Sequence, residues 1–118
     1  MYQEMVTARG YSLSQYVDLV SSNAAKIMGL YPRKGAIAPG SDADITLLDP
    51  EEARVVRNEN LHESDYTPWE GKEVSAWPVL TILRGKIVVE NGRFFAKESD
   101  GQYLSRRISE EILGGAAL

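Results

Sequence analysis

The chain has 118 residues, enough for one domain that buries roughly two-thirds of its unfolded surface. Its 43% hydrophobic and 25% charged content is that of an ordinary globular protein. A net charge of −4 weighs against a nucleic-acid surface, and the absence of cysteine excludes disulfides and thiolate metal sites.

No apolar stretch reaches the roughly 20 residues that span a bilayer. The start, Met1-Tyr2-Gln3-Glu4-Met5, lacks the basic and then apolar order of a signal peptide. The expectation is a soluble cytoplasmic chain with no nucleic-acid or membrane partner. Residues 2–8 read as a short helix cut off by Gly10. From Ser12 to Met28 the apolar positions Leu13, Tyr16, Val17, Val20, Ala24 and Ile27 recur at helical spacing. Ser12 and Gln15 form a capping box, which places the helix start at Leu13. Ser21-Ser22-Asn23 suits an N-cap better than a helix interior, so the sequence predicts a break there. Gly29 supplies the left-handed residue that ends the second piece.

After Pro39-Gly40 the period changes to two. Residues 43–48 read as a strand stopped by Asp49-Pro50, and residues 53–57 as a second strand. Residues 58–71 are polar and turn-rich, hence a long loop. Residues 79–84, 86–90 and 93–96 then form a meander, divided by Gly85 and by Asn91-Gly92. Pro78 cannot donate to a ladder and marks an edge or a bulge. A last helix is expected over residues 101–113, with a loose end after it.

Candidate chemistry is sparse. His62-Glu63-Ser64-Asp65 reads as a polar loop, a small metal site being the alternative. Asp42 and Asp44 form a D-x-D that elsewhere holds hard cations; here turn aspartates bonding their own backbone are the simpler account. Ser12, Ser14, Ser21 and Ser22 have no histidine to activate them, so they read as caps and surface. Trp69, Trp77 and Tyr66 read as packing residues of a β-core, with a ligand cleft as the alternative. Arg106-Arg107 reads as part of a solvated helix face. No Gly-rich phosphate signature occurs.

Longer motifs say more. The run Asn23-Ala24-Ala25-Lys26-Ile27-Met28-Gly29-Leu30-Tyr31-Pro32-Arg33-Lys34-Gly35, followed by Pro39-Gly40-Ser41-Asp42-Ala43-Asp44, resembles the C-terminal segment of the cyclic amidohydrolases. Asp65-Tyr66-Thr67-Pro68-Trp69-Glu70-Gly71 is similar to a segment of the hydantoinase and dihydropyrimidinase group, and residues 81–92 resemble their closing meander. The resemblance implies an α+β fold: helices at the end of a barrel region (1–31), part of a small antiparallel β-sandwich (32–100) and a C-terminal helix or tail (101–118), with the (β/α)8 barrel itself absent. It implies a parent enzyme that opens cyclic amide or ureide rings with binuclear zinc and a carboxylated lysine.

That centre needs several histidines, and this sequence has one, His62. Lys26 matches the lysine of an Asn-Pro-Ala-Lys motif that is not the bridging one, and reads as a helix-end cation; Ala24 replaces that motif's proline. No catalytic, cofactor-binding or metal-binding residue is therefore carried over onto this chain. The expectation is a non-catalytic C-terminal portion whose partner is either another copy or the missing barrel part of its parent. The alternative is a stand-alone assembly module related to these hydrolases.

Overall fold

The computed structural model describes residues 1–60 and 65–115. A π-helical turn over Gln3–Ala8 opens the chain. Helix α1 (Leu13–Val17) follows, capped as the sequence dictates. The Ser12 hydroxyl accepts from the Gln15 backbone N–H at 3.2 Å, and the Gln15 side chain accepts from the Ser12 N–H at 2.9 Å. The break expected at Ser21-Ser22-Asn23 does not occur. A π-helical stretch over Asp18–Ser22 carries the rod into α2 (Asn23–Ile27), and Ser22 keeps helical angles. The Ser22 hydroxyl instead donates to the Gly35 carbonyl at 2.9 Å, so its polar group is satisfied without ending the helix.

Gly29 (φ +70°) closes α2 in a Schellman motif. Its N–H donates to the Lys26 carbonyl at 3.0 Å, and the Leu30 N–H donates to that of Ala25 at 2.8 Å. The chain then crosses to a four-stranded antiparallel sheet ordered β1-β2-β3-β4. The strands are β1 (Ile45–Val55), β2 (Glu73–Leu83), β3 (Lys86–Glu90) and β4 (Arg93–Phe94).

Two features differ from the sequence pattern. Asp49-Pro50 does not stop the first strand: β1 runs through it with a register shift between Asp49 and Ala53. Ladder donors are lost there, and an edge strand tolerates that because its outer side has no partner strand. Strand β2 begins six residues before Val79 and contains Pro78, which pairs with Leu48 beside the bulge that its missing N–H predicts. The two hairpin turns fall at Arg84-Gly85 (φ +47°, +81°) and Asn91-Gly92 (φ +47°, +77°), the paired positive angles of two-residue turns that suit the sheet's twist.

The expected helix over residues 101–113 shrinks to α3 (Glu110–Leu113), N-capped by the Ser109 hydroxyl. Residues 101–109 form an extended strap from the sheet to the end of α2. At one end Asp100 accepts from Lys86 Nζ at 2.7 Å; at the other the Arg107 N–H donates to the Gly29 carbonyl at 3.0 Å. Arg106-Arg107 thus lie on this strap rather than on a helix face.

The interior is thin. Met5, Ala25, Ala76 and Val88 are the buried apolar residues among those described, and none is wholly enclosed. The chain exposes 9053 Å², whereas a stand-alone globular protein of its mass exposes about 6,400 Å². Its radius of gyration, 16.1 Å, likewise exceeds the roughly 13.5 Å of a compact domain of this length.

Candidate functional site

A concentration of opposed charges lies where the helices meet the sheet. Cis-Pro32 turns the chain after α2, and Arg33 and Lys34 come out facing Asp42 and Asp44. Arg33 Nε donates to the Asp42 carboxylate at 2.9 Å, Lys34 Nζ reaches it at 2.8 Å, and Lys34 also donates to Asp44. The other Asp44 oxygen accepts from the Arg84 backbone N–H at 2.7 Å. One aspartate therefore ties the helix exit to the β2–β3 turn, forty residues away in sequence. The simpler account of the D-x-D gives way to this ionic clip, whose partners are remote cations and a remote N–H.

The clip holds its groups ionised. The hydrogen bond from Lys34 lowers the Asp42 carboxyl below its ordinary range, with Arg33 assisting. Partial burial opposes ionisation of Asp44, but Lys34 and the Arg84 N–H outweigh it and its pKa is also lowered. Burial likewise works against the Lys34 cation, and its two carboxylate partners outweigh that and raise its pKa. Groups locked in their charged forms do not exchange protons near neutral pH, so the cluster is suited to fastening rather than acid–base work.

Other candidates are placed as follows. His62, Glu63 and Ser64 lie outside the described residues. Lys26 sits in the last turn of α2 with Nζ 5.4 Å from the centre of the Tyr31 ring. Trp69 (60% exposed) and Tyr66 (72%) are on the surface, which removes them from the β-core the sequence suggested. Trp77 is half-buried on β2 under the Arg54 guanidinium, 5.0 Å from its ring. The 65–71 motif closes a loop: Glu70 accepts from the Asn58 backbone N–H at 2.6 Å, and the Gly71 N–H donates to the Val56 carbonyl at 2.9 Å.

Two open depressions flank α2. The larger, about 980 Å³, separates the helices from β1 and is lined by Val17, Val20, Leu30, Ile37 and Leu48 among others. The smaller, about 400 Å³, lies between α2 and the strap, beside Asn23, Lys26, Tyr31 and Arg107. Among the described residues, no three histidines, cysteines or acids gather as metal ligands. With a single histidine in the whole sequence, the donor set does not fit a binuclear zinc centre. No described helix is long and apolar enough to cross a membrane.

The profile of the amidohydrolase family matches residues 1–88. The chain belongs to the amidohydrolase family. Over 97 residues it is 44% identical to the D-hydantoinase of Ralstonia pickettii, a stretch covering 81% of this chain and 21% of that enzyme. It superposes on the D-hydantoinase of Bacillus sp. AR9 with a TM-score of 0.86 and 43% identity, covering 92% of this chain and 24% of that one. The dihydropyrimidinase of Brevibacillus agri NCHU1002 gives 0.85 and 40%, covering 89% and 23%. This amidohydrolase chain thus spans about a fifth of the length of the curated relatives it matches.

Proposed function

We propose that this chain is the non-catalytic C-terminal portion of a metal-dependent cyclic amidohydrolase, one that opens hydantoin or dihydropyrimidine rings in a reducing cytoplasm. The observation that carries this reading is the asymmetry of coverage: more than four-fifths of this chain matches hydantoinases, yet it accounts for less than a quarter of theirs. The role is mechanical. The ionic clip and the strap hold the small sheet at a fixed angle to the helices. Binuclear zinc and a carboxylated lysine are what the family likeness implies for the parent, and this chain's residues do not build that centre.

The surplus of exposed surface supports a partner, either the barrel part of the parent or a second copy of this chain. The same surplus favours a second reading, an assembly module that works without catalysis. A chimera separates them. This chain replaces the matching segment of the Ralstonia pickettii D-hydantoinase, and ring opening of hydantoin is followed. An active chimera is expected, with no turnover by the chain alone. A folded but inactive chimera would count against the hydrolase reading. An upstream reading frame carrying a His-x-His motif would support it independently.

A further inference from the structure

We infer that the cleft between α2 and the strap binds a small phosphomonoester, its phosphate held between Lys26 and Arg107. The inference goes beyond the reading above and stands whichever parent, or none, the chain completes. Lys26 comes from the last turn of α2 and Arg107 from the strap, so the two cations reach the cleft from opposite walls. The strap is set close: the Arg107 N–H donates to the Gly29 carbonyl at 3.0 Å, and Gly29 has no side chain to hold it off.

Both cations are uncommitted. The chain carries 17 acids against 13 lysines and arginines, yet among the described residues neither Lys26 nor Arg107 makes an ion pair. Together they offer N–H donors and no acceptor, a set that suits the oxygens and double charge of a phosphate. The Ser109 hydroxyl adds to it. Its oxygen accepts from the Ile112 N–H at 3.4 Å, which leaves its own hydrogen to donate.

Two features oppose an anion, and neither outweighs the cations. Glu111 also lines the cleft, but against two positive side chains the local balance stays positive. The end of α2 carries partial negative charge, yet the carbonyls of Ala25, Lys26 and Gly29 there already accept from backbone N–H groups. The volume, about 400 Å³, is that of roughly thirteen waters. That leaves room beside the phosphate for a small organic body, with the Tyr31 ring and Ile112 as its walls.

The test is isothermal titration calorimetry of the full chain with phenyl phosphate at about pH 8, where the ester is doubly charged. Benzoate and inorganic phosphate are titrated beside it. Lys26→Gln and Arg107→Gln alter exposed side chains and keep the strap's backbone bond, and circular dichroism checks that each variant stays folded. The expected result is one saturable site at which either variant weakens phenyl phosphate about tenfold or more. Benzoate, with one charge, and inorganic phosphate, with no organic body, should each bind at least about fivefold more weakly than the ester. Glu111→Gln should tighten binding about two- to threefold by removing the acid on the wall. Arg106→Gln should change it less than about twofold, because that guanidinium turns to Met28 Sδ, 4.0 Å away. Equal weakening by Arg106→Gln would reduce the site to diffuse charge and overturn it. So would the absence of saturable binding up to about 10 mM, or a Lys26→Gln/Arg107→Gln double variant that binds like the unaltered chain. Benzoate or inorganic phosphate binding as tightly as the ester would overturn the ligand class.

Discussion

Replacing Gly29 by alanine tests the join between the first helices and the C-terminal strap. Gly29 sits at φ +70°, where an L-residue other than glycine costs about 1 kcal/mol or somewhat more. A Cβ there would lie 2.6 Å from the Arg107 carbonyl carbon and 2.7 Å from its oxygen, both main-chain atoms that no rotamer change can move aside. The strap must retreat by roughly 1 Å to restore ordinary contact, since carbon atoms rest about 3.5–4.0 Å apart. That retreat breaks the Arg107 N–H bond to the Gly29 carbonyl, about 1 kcal/mol more. Gly29→Ala should therefore cost about 2–4 kcal/mol. Gly10 offers the control, because its φ is +69° with nothing within 4 Å of an added Cβ; Gly10→Ala should cost only the backbone part, about 1 kcal/mol. Urea unfolding followed by circular dichroism at one fixed protein concentration measures both. Trypsin adds an independent reading, since release of the strap frees the backbone at the already exposed Arg106-Arg107 for cleavage. Equal losses in the two variants, with equal cleavage rates, would show that the strap does not rest on Gly29.

Lys34→Ala should lower the melting temperature by about 4 °C, because it leaves Asp42 and Asp44 facing each other without their shared cation; a change within error would demote the clip to ornament. Stability should be level through neutral pH. The lowered pKa values of Asp42 and Asp44 contribute fully above the ordinary 3.8, and that contribution disappears as acid titrates them through their folded values. The raised pKa of Lys34 contributes fully below 10.5 and is lost as alkali passes its folded value, so melting curves from about pH 2.8 to about pH 11.5, roughly one unit beyond each ordinary value, should show a plateau with two shoulders. Lys34→Ala should flatten both shoulders. Excess zinc or a chelator should leave the melting temperature unchanged within about 1 °C, and a saturable rise with zinc would reveal ligands that one histidine does not predict.

Local signals were legible where one or two residues decide a geometry. The Ser12–Gln15 capping box, the Gly29 stop and the Asn91-Gly92 hairpin all stand where their residues place them. What escaped was set by partners distant in sequence. Asp49-Pro50 reads as a strand end, but β2 pairs on both sides of it and carries the strand across. Ser22 reads as an N-cap until the Gly35 carbonyl provides its acceptor. Residues 101–109 have composition compatible with a helix, but the strap's anchors, Lys86 with Asp100 and Gly29 with Arg107, hold it extended. The D-x-D was visible as a motif, and its meaning depended on Arg33, Lys34 and Arg84 arriving from elsewhere. Family membership was legible because motifs such as 39–44 and 65–71 record local turns and loop closures, the level at which a sequence speaks most directly.

The strap has a consequence in time as well as in space. A ribosome makes α2 well before the segment carrying Arg107 and Ser109, yet the end of α2 rests on that later segment. The α2 terminus must therefore wait, with one face uncovered, until the strap has emerged. Closure of this loop joins residues nearly eighty positions apart, and such long-range joins form late in folding because chain entropy opposes them until other contacts are in place. Any protein synthesised with this segment thus completes its helical end and its tail as a single event.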